Sequence, residues 1–208
     1  MNATRTRRLG ALFYPGWEML DTCGPLEMFG NMPGMIEIVT VAQQAGPVRS
    51  AQGPEIVATY GFDDCPRLDL LLIPGGMSSH DEVENPLMID WLRRRVPEVE
   101  LTMTVCSGTE LLARTGLLDG RRATTNKMFF GQVTADSPRV EWVKEARWVE
   151  DGPFVTSSGV SAGIDMALAV IARLAGAEVS EQLALATEYE WHRDAGWDPF
   201  ARLHGLVA

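Results

Sequence analysis

The run Leu68-Asp69-Leu70-Leu71-Leu72-Ile73, closed by Pro74-Gly75-Gly76, limits what this chain can fold into more than any other stretch. Its apolar residues are nearly continuous rather than alternating, which suits a strand covered on both faces. Further strands are predicted at 8–14, 36–42 and 101–105, and helices after Pro25 and over 85–95, 109–115, 162–174 and 179–191. A small antiparallel excursion is expected at 46–58 and a short helix at 127–135. Strands are expected at 140–143, 147–149 and 154–156, with Asp151-Gly152 turning between the last two. Strands alternating with helices predict an α/β protein whose parallel sheet is sandwiched between helices, in one domain spanning residues 1–208.

The chain has 208 residues, 46% of them hydrophobic and 22% charged, enough for one well-filled core. A formal net charge of −10 argues against nucleic-acid or anionic-membrane surfaces, which need clustered Lys and Arg. Three short basic clusters, Arg5 to Arg8, Arg93 to Arg95 and Arg121-Arg122, read as solvated faces. Leu9 to Tyr14 follows the first of these as a signal peptide would, but Pro15-Gly16 ends it and no small-residue cleavage site follows. No stretch reaches the roughly 18 apolar residues of a membrane span. A cytoplasmic protein is expected. The 3 cysteines, Cys23, Cys65 and Cys106, form no C-x-x-C pair, which fits reduced thiols and no zinc site.

Chemistry concentrates in Leu101-Thr102-Met103-Thr104-Val105-Cys106-Ser107-Gly108-Thr109-Glu110-Leu111-Leu112. A β-branched run passes into a helix with a cysteine at the junction and Gly108 two residues on, the pattern of a nucleophile elbow. Unpaired N–H groups at the helix start favour thiolate, so Cys106 is expected to be more acidic than a free cysteine. A buried structural cysteine is the plainer alternative. Ligands in open α/β sheets bind outside the carboxyl ends of the strands. Asp21 is expected on the loop above the first strand, with Pro25 early in the helix that follows, and a helix cap is its alternative role. Gly75 and Gly76, with the Ser107 N–H, are expected to offer an anion hole. Of the three histidines, His80 rims this edge; His192 and His204 read as surface or packing residues. A carboxyl beside a thiol is a coupled pair, expected here as thiolate with Asp21 holding or sharing the proton.

Several ordered motifs, covering residues 9 to 190, resemble the ThiJ/PfpI superfamily. They are Phe13-Tyr14-Pro15-Gly16, Leu20 to Pro25, Leu72 to Gly76, Val105 to Gly108, Gly116 to Thr125 and Ser161 to Asp165. The nearest resemblance is to the isocyanide hydratase group, then to the amidase-like domains of AraC-type regulators. The resemblance implies a flavodoxin-like three-layer sandwich, class I glutamine amidotransferase-like. It also implies a homodimer, a small-molecule substrate, no cofactor and no metal, with Cys106 as nucleophile. In the hydratase group an Asp at the position of Asp21 handles the proton, and water releases an N-formamide through a thioimidate. Ser107 matches a position, commonly Thr, whose side chain contacts the pair. The chain departs from the family where Thr124-Thr125-Asn126-Lys127 replaces a frequent Thr-Thr-His-Trp, which puts Asn126 at a substrate-binding position. It departs again where Ser107 stands in place of the His that follows the cysteine in proteolytic relatives.

The leading expectation is therefore isocyanide hydration by Cys106, Asp21 and Ser107, with Gly75, Gly76 and Asn126 binding substrate. Glyoxalase-, amidase- or peptidase-like use of the same thiol is one alternative. A redox-sensing or ligand-binding protein without turnover is another. A chain of this length leaves no room for an appended DNA-binding domain, so direct regulation of DNA is not expected.

Overall fold

The computed structural model describes residues 5–208. In chain order, β1 (Arg7–Leu12) leads to α1 (Met19–Gly30) and β2 (Ile36–Val41), followed by the hairpin of β3 (Gly46–Arg49) and β4 (Glu55–Ala58). Next come β5 (Leu70–Ile73), the single turn α2 (Ser79–Glu82), α3 (Pro86–Arg95), β6 (Leu101–Thr104) and α4 (Gly108–Arg114). Then follow β7 (Arg122–Ala123), α5 (Phe130–Ala135), β8 (Glu141–Trp142), β9 (Trp148–Asp151) and β10 (Phe154–Ser157). The chain closes with α6 (Ala162–Ala175), α7 (Ala177–Ala186) and α8 (Pro199–Leu203).

The six-stranded sheet runs β2-β1-β5-β6-β10-β9, parallel at every pairing except β10 with β9. Leu70 to Ile73 of β5 are all fully buried. Leu70 and Leu72 pack with α1 and α6, while Leu71 and Ile73 pack with α3 and α4. The uninterrupted apolar run thus feeds two cores at the strand period of two. Among the described residues no helix is long and apolar enough to cross a membrane.

Several boundaries differ from the sequence expectation. Helix α1 begins at Met19, so Asp21 lies in its first turn rather than on a loop, and Pro25 sits inside the helix. Pro25 has no N–H for the carbonyl of Asp21, which opens the helix ladder beside the site. The 127–135 helix starts only at Phe130, because Asn126 Oδ1 accepts the N–H groups of Met128 and Phe129 in a turn of its own. Residues 140–143 shorten to the two-residue β8, paired with β7. The last long helix stops at Ala186 rather than 191. Glu188 takes a left-handed φ of 51°, its N–H reaches Leu185 O and Tyr189 N–H reaches Ala184 O. That is a Schellman ending without glycine, which periodicity cannot reveal. Ser161 occupies the cap position of α6, yet its hydroxyl makes no capping bond and faces Arg147 instead.

Candidate active site

Cys106 lies between β6 and α4 with φ of 57°, a left-handed conformation in a residue that carries a side chain. The turn is held on both sides. Cys106 N–H donates to Ser158 O at 3.0 Å, and Thr125 Oγ1 donates to Cys106 O at 2.8 Å. Beneath it the chain is too close for side chains. A Cβ on Gly108 would meet Ile73 O at 2.4 Å, and one on Gly75 would meet Ser107 N at 2.6 Å. The two glycines let β5 and the start of α4 lock together and so fix where the sulfur emerges.

Asp21 is fully buried and is not a cap. Its Oδ2 accepts the Gly75 N–H at 2.8 Å, and its Oδ1 has no hydrogen-bond partner. Burial pushes its carboxyl from 3.8 up to about 8, opposed by the Gly75 N–H and, more weakly, by the nearby Cys106 thiol. Cys106 is displaced in the same direction. Burial first and the Asp21 charge second push the thiol up to about 12, against the N–H groups of Val160 and Ser107 and the amide of Asn126. This corrects the expectation of an acidic thiol: the help from a helix start is outweighed by loss of water and by a neighbouring carboxyl. Near neutral pH both groups keep their protons, since two adjacent buried anions are too costly.

The anion-hole expectation also changes. Gly75 N–H is taken by Asp21, and Gly76 N–H donates to Ser107 Oγ at 3.1 Å. Ser107 Oγ returns a bond to Gly76 O at 3.2 Å, so its hydroxyl clamps the glycine loop rather than the Cys–Asp pair. The donor hydrogen-bonded to the sulfur is Asn126 Nδ2 at 3.1 Å, and the N–H groups of Val160 and Ser107 also favour its charged form. Val160 has φ of 39°, an outlier for a β-branched residue, and nothing in the sequence marks it. Asn126 is oriented by the two backbone N–H groups on its Oδ1, so its amide nitrogen faces the thiol.

The sulfur stands at the floor of a cavity of about 390 Å³, also lined by Gly76, Ser107, Asn126, His80, Lys127 and residues of α8. Gly75 and Asp21 lie behind that lining rather than in it, and Cys23 is exposed elsewhere. His80 Nδ1 lies 2.7 Å from Glu110 Oε2 but without hydrogen-bond alignment, and Nε2 has no partner. Lys127 is buried, its Nζ donating to Thr124 Oγ1 at 2.6 Å and Ala146 O at 2.7 Å. Burial pulls its amine from 10.5 down to about 8, with Asp198 opposing and Arg147 assisting. No group of three or more His, Cys, Asp or Glu suited to a metal ion occurs among the described residues.

The DJ-1/PfpI family matches residues 9–173. This chain belongs to the DJ-1/PfpI family. It is 31% identical over 183 residues to an isonitrile hydratase of Pseudomonas putida, covering 88% of this chain and 78% of that protein. A solved ThiJ/PfpI family protein from Pseudomonas syringae superposes with a TM-score of 0.84 at 32% identity, covering 91% of this chain and 78% of that one. The HTH-type transcriptional regulator CdhR of Pseudomonas aeruginosa is 30% identical over 149 residues, which are 70% of this chain but 44% of the regulator. The flavodoxin-like α/β sandwich expected from the motifs is thus the fold of this DJ-1/PfpI chain.

Proposed function

We propose that this chain is a cofactor-independent hydratase that converts an organic isocyanide to an N-formamide through a thioimidate on Cys106. The observation that carries this proposal is the Asp21 carboxyl, fully buried near the Cys106 thiol with its Oδ1 unpartnered, where loss of water favours the protonated form. The 31% identity to an isonitrile hydratase supports the choice of electrophile.

An isocyanide carbon must gain both a sulfur and a proton. Protonated Asp21 gives its proton to the terminal carbon while the Cys106 sulfur bonds to the same carbon, and the thiol proton passes to Asp21. The product is Cys106–S–CH=N–R, with no net charge formed in the buried site. Water then adds to the imidate carbon, its second proton reaching nitrogen. The resulting S–CH(OH)–NH–R collapses to O=CH–NH–R and the free thiol. Ser107 N–H, Val160 N–H and the Asn126 amide stabilise the sulfur as it carries negative charge in attack and departure. Gly75 positions Asp21, and Ser107 Oγ holds Gly76 at the cavity edge.

Incubation with an alkyl or aryl isocyanide is expected to yield the matching formamide, with none above background from Cys106→Ala. Parallel incubations with methylglyoxal and a simple amide separate this reading from glyoxalase- and amidase-like use of the thiol. Turnover of either in place of isocyanide would replace it. The proposal includes a homodimer, carried by family resemblance, and the cytoplasmic location expected from the sequence. Light scattering at the mass of two chains is the expected result for the first.

A further inference from the structure

The chain after α7 returns to the catalytic edge, and its course is fixed by buried polar groups. Asp165 is fully buried. Its Oδ1 accepts His192 N–H at 2.9 Å and Tyr189 O–H at 3.1 Å, while its Oδ2 accepts Arg147 Nε at 2.7 Å. Arg147 N–H in turn donates to Ala195 O at 2.8 Å. Asp198, 1% exposed, starts α8 by accepting the Phe200 N–H on Oδ1, and its Oδ2 is buried without a partner. Its charge opposes the loss of the proton from Lys127, which is next to the Asn126 that touches the sulfur.

This course brings Phe200 and His204 into the cavity wall. Phe200 is 47% exposed, and Met77 and Met128, also in the wall, are 63% and 65% exposed. These exposed apolar groups are continuous with a cavity that has the thiol at its floor, so what covers them in turnover is the substituent of the electrophile. The Lys127 amine is committed to Thr124 and Ala146, and Glu18 is the carboxylate among the described lining residues. An anionic substituent therefore meets no free lysine or arginine among the described lining residues.

We propose that segment 198–204 is the selecting wall of this cavity. Phe200 packs on an apolar, ring-sized substituent of the electrophile, and Asp198, whose Oδ1 accepts the Phe200 N–H at the start of α8, holds that residue at the cavity. The isocyanide reading supplies only the reacting group; the wall selects whatever electrophile the thiol attacks.

The test is run at the thiol first. In a Cys23→Ser, Cys65→Ser background, Cys106 is alkylated with N-phenylmaleimide and with N-methylmaleimide, and the two rates are read by peptide mass. The phenyl-to-methyl ratio is expected to fall about tenfold in Phe200→Ala, the scale of a lost apolar contact in a pocket. It is expected to fall severalfold in Asp198→Ala, which removes the acceptor of the Phe200 N–H, and to be largely kept in Asp198→Asn, which retains that oxygen. Steady-state kinetics with phenyl and methyl isocyanide should show the same ordering in kcat/KM. An unchanged ratio in Phe200→Ala, with Cys106 still alkylated, overturns the wall. Failure of both isocyanides to turn over, with the maleimide ratio shifted as expected, removes the isocyanide reading and leaves the wall standing.

Discussion

The floor and the wall of the Cys106 cavity are built in opposite ways. At the floor, backbone meets backbone: Gly75 lies under Ser107, Gly108 lies under Ile73 and Pro74, and Asp21 is tied to the Gly75 N–H. The wall is a returning tail, fixed by Asp165 with Arg147 and by Asp198 at the start of α8, and it presents exposed Phe200. The floor falls within residues 9–173, the part matched by the DJ-1/PfpI family, whereas α8 lies beyond it. The contrast teaches where change is tolerated. A floor locked by main chain keeps one chemistry, and a wall held by side chains can be retuned without moving the sulfur.

The largest effect is expected at the floor. Cys106→Ser should lower isocyanide turnover on the order of 10³-fold or more, because the nucleophile and its leaving-group chemistry are lost together. Asp21→Asn should follow, at roughly 10² to 10³-fold in kcat, the usual scale for a positioned proton donor. The same substitution has a signature in stability. A carboxyl raised from 3.8 to about 8 takes up a proton on folding between those values, so wild-type stability falls as pH rises through that window and levels above it. Chemical denaturation at pH 5, 7 and 9 should therefore show Asp21→Asn gaining on wild type by on the order of a few kcal/mol. A constant difference across the three would mean that Asp21 is already ionised in the folded protein.

Gly75→Ala comes next. Its Cβ would sit 2.6 Å from Ser107 N, so a loss of about 1–3 kcal/mol in stability is expected together with reduced turnover. At the wall, Asp165→Ala leaves Arg147 buried without its charge partner, and a loss of about 3–5 kcal/mol is expected by denaturation. Release of residues 189–204 should then appear as faster backbone hydrogen exchange there than in β5 and β6. If exchange rose equally in both regions, floor and wall would be one cooperative unit and the comparison would fail. The smallest change in turnover is expected for Asn126→Ala, which removes a neutral donor 3.1 Å from the sulfur together with the acceptor of the Met128 and Phe129 N–H groups and should slow turnover only severalfold.

Much of the floor is legible in the sequence because it is local. A strand, a cysteine, a glycine and a helix in succession specify the elbow, and the Leu68–Ile73 run with its glycines specifies what lies beneath. Asp21 is found by its place after the first strand, although its helix starts at Met19, two residues before it, rather than near Pro25. The acidity of Cys106 is not legible, because the helix start is visible in sequence while the burial that outweighs it is not. Nor is the occupation of Gly75 and Gly76, whose N–H groups serve Asp21 and Ser107. The wall is least legible. Glu188 ends α7 in a conformation its residue type does not advertise, and Asp198, Phe200 and His204 meet the site only through long-range packing.

The covalent intermediate offers the most direct test of the central claim. Intact-mass measurement of protein quenched during isocyanide turnover should show a species heavier by one isocyanide, mapped to Cys106 and absent from Cys106→Ala. It should build up before formamide release becomes linear. Formamide produced at the same rate by Cys106→Ala, or an adduct confined to Cys23 or Cys65, would contradict the assignment of Cys106 and Asp21 as the pair that adds water to this substrate.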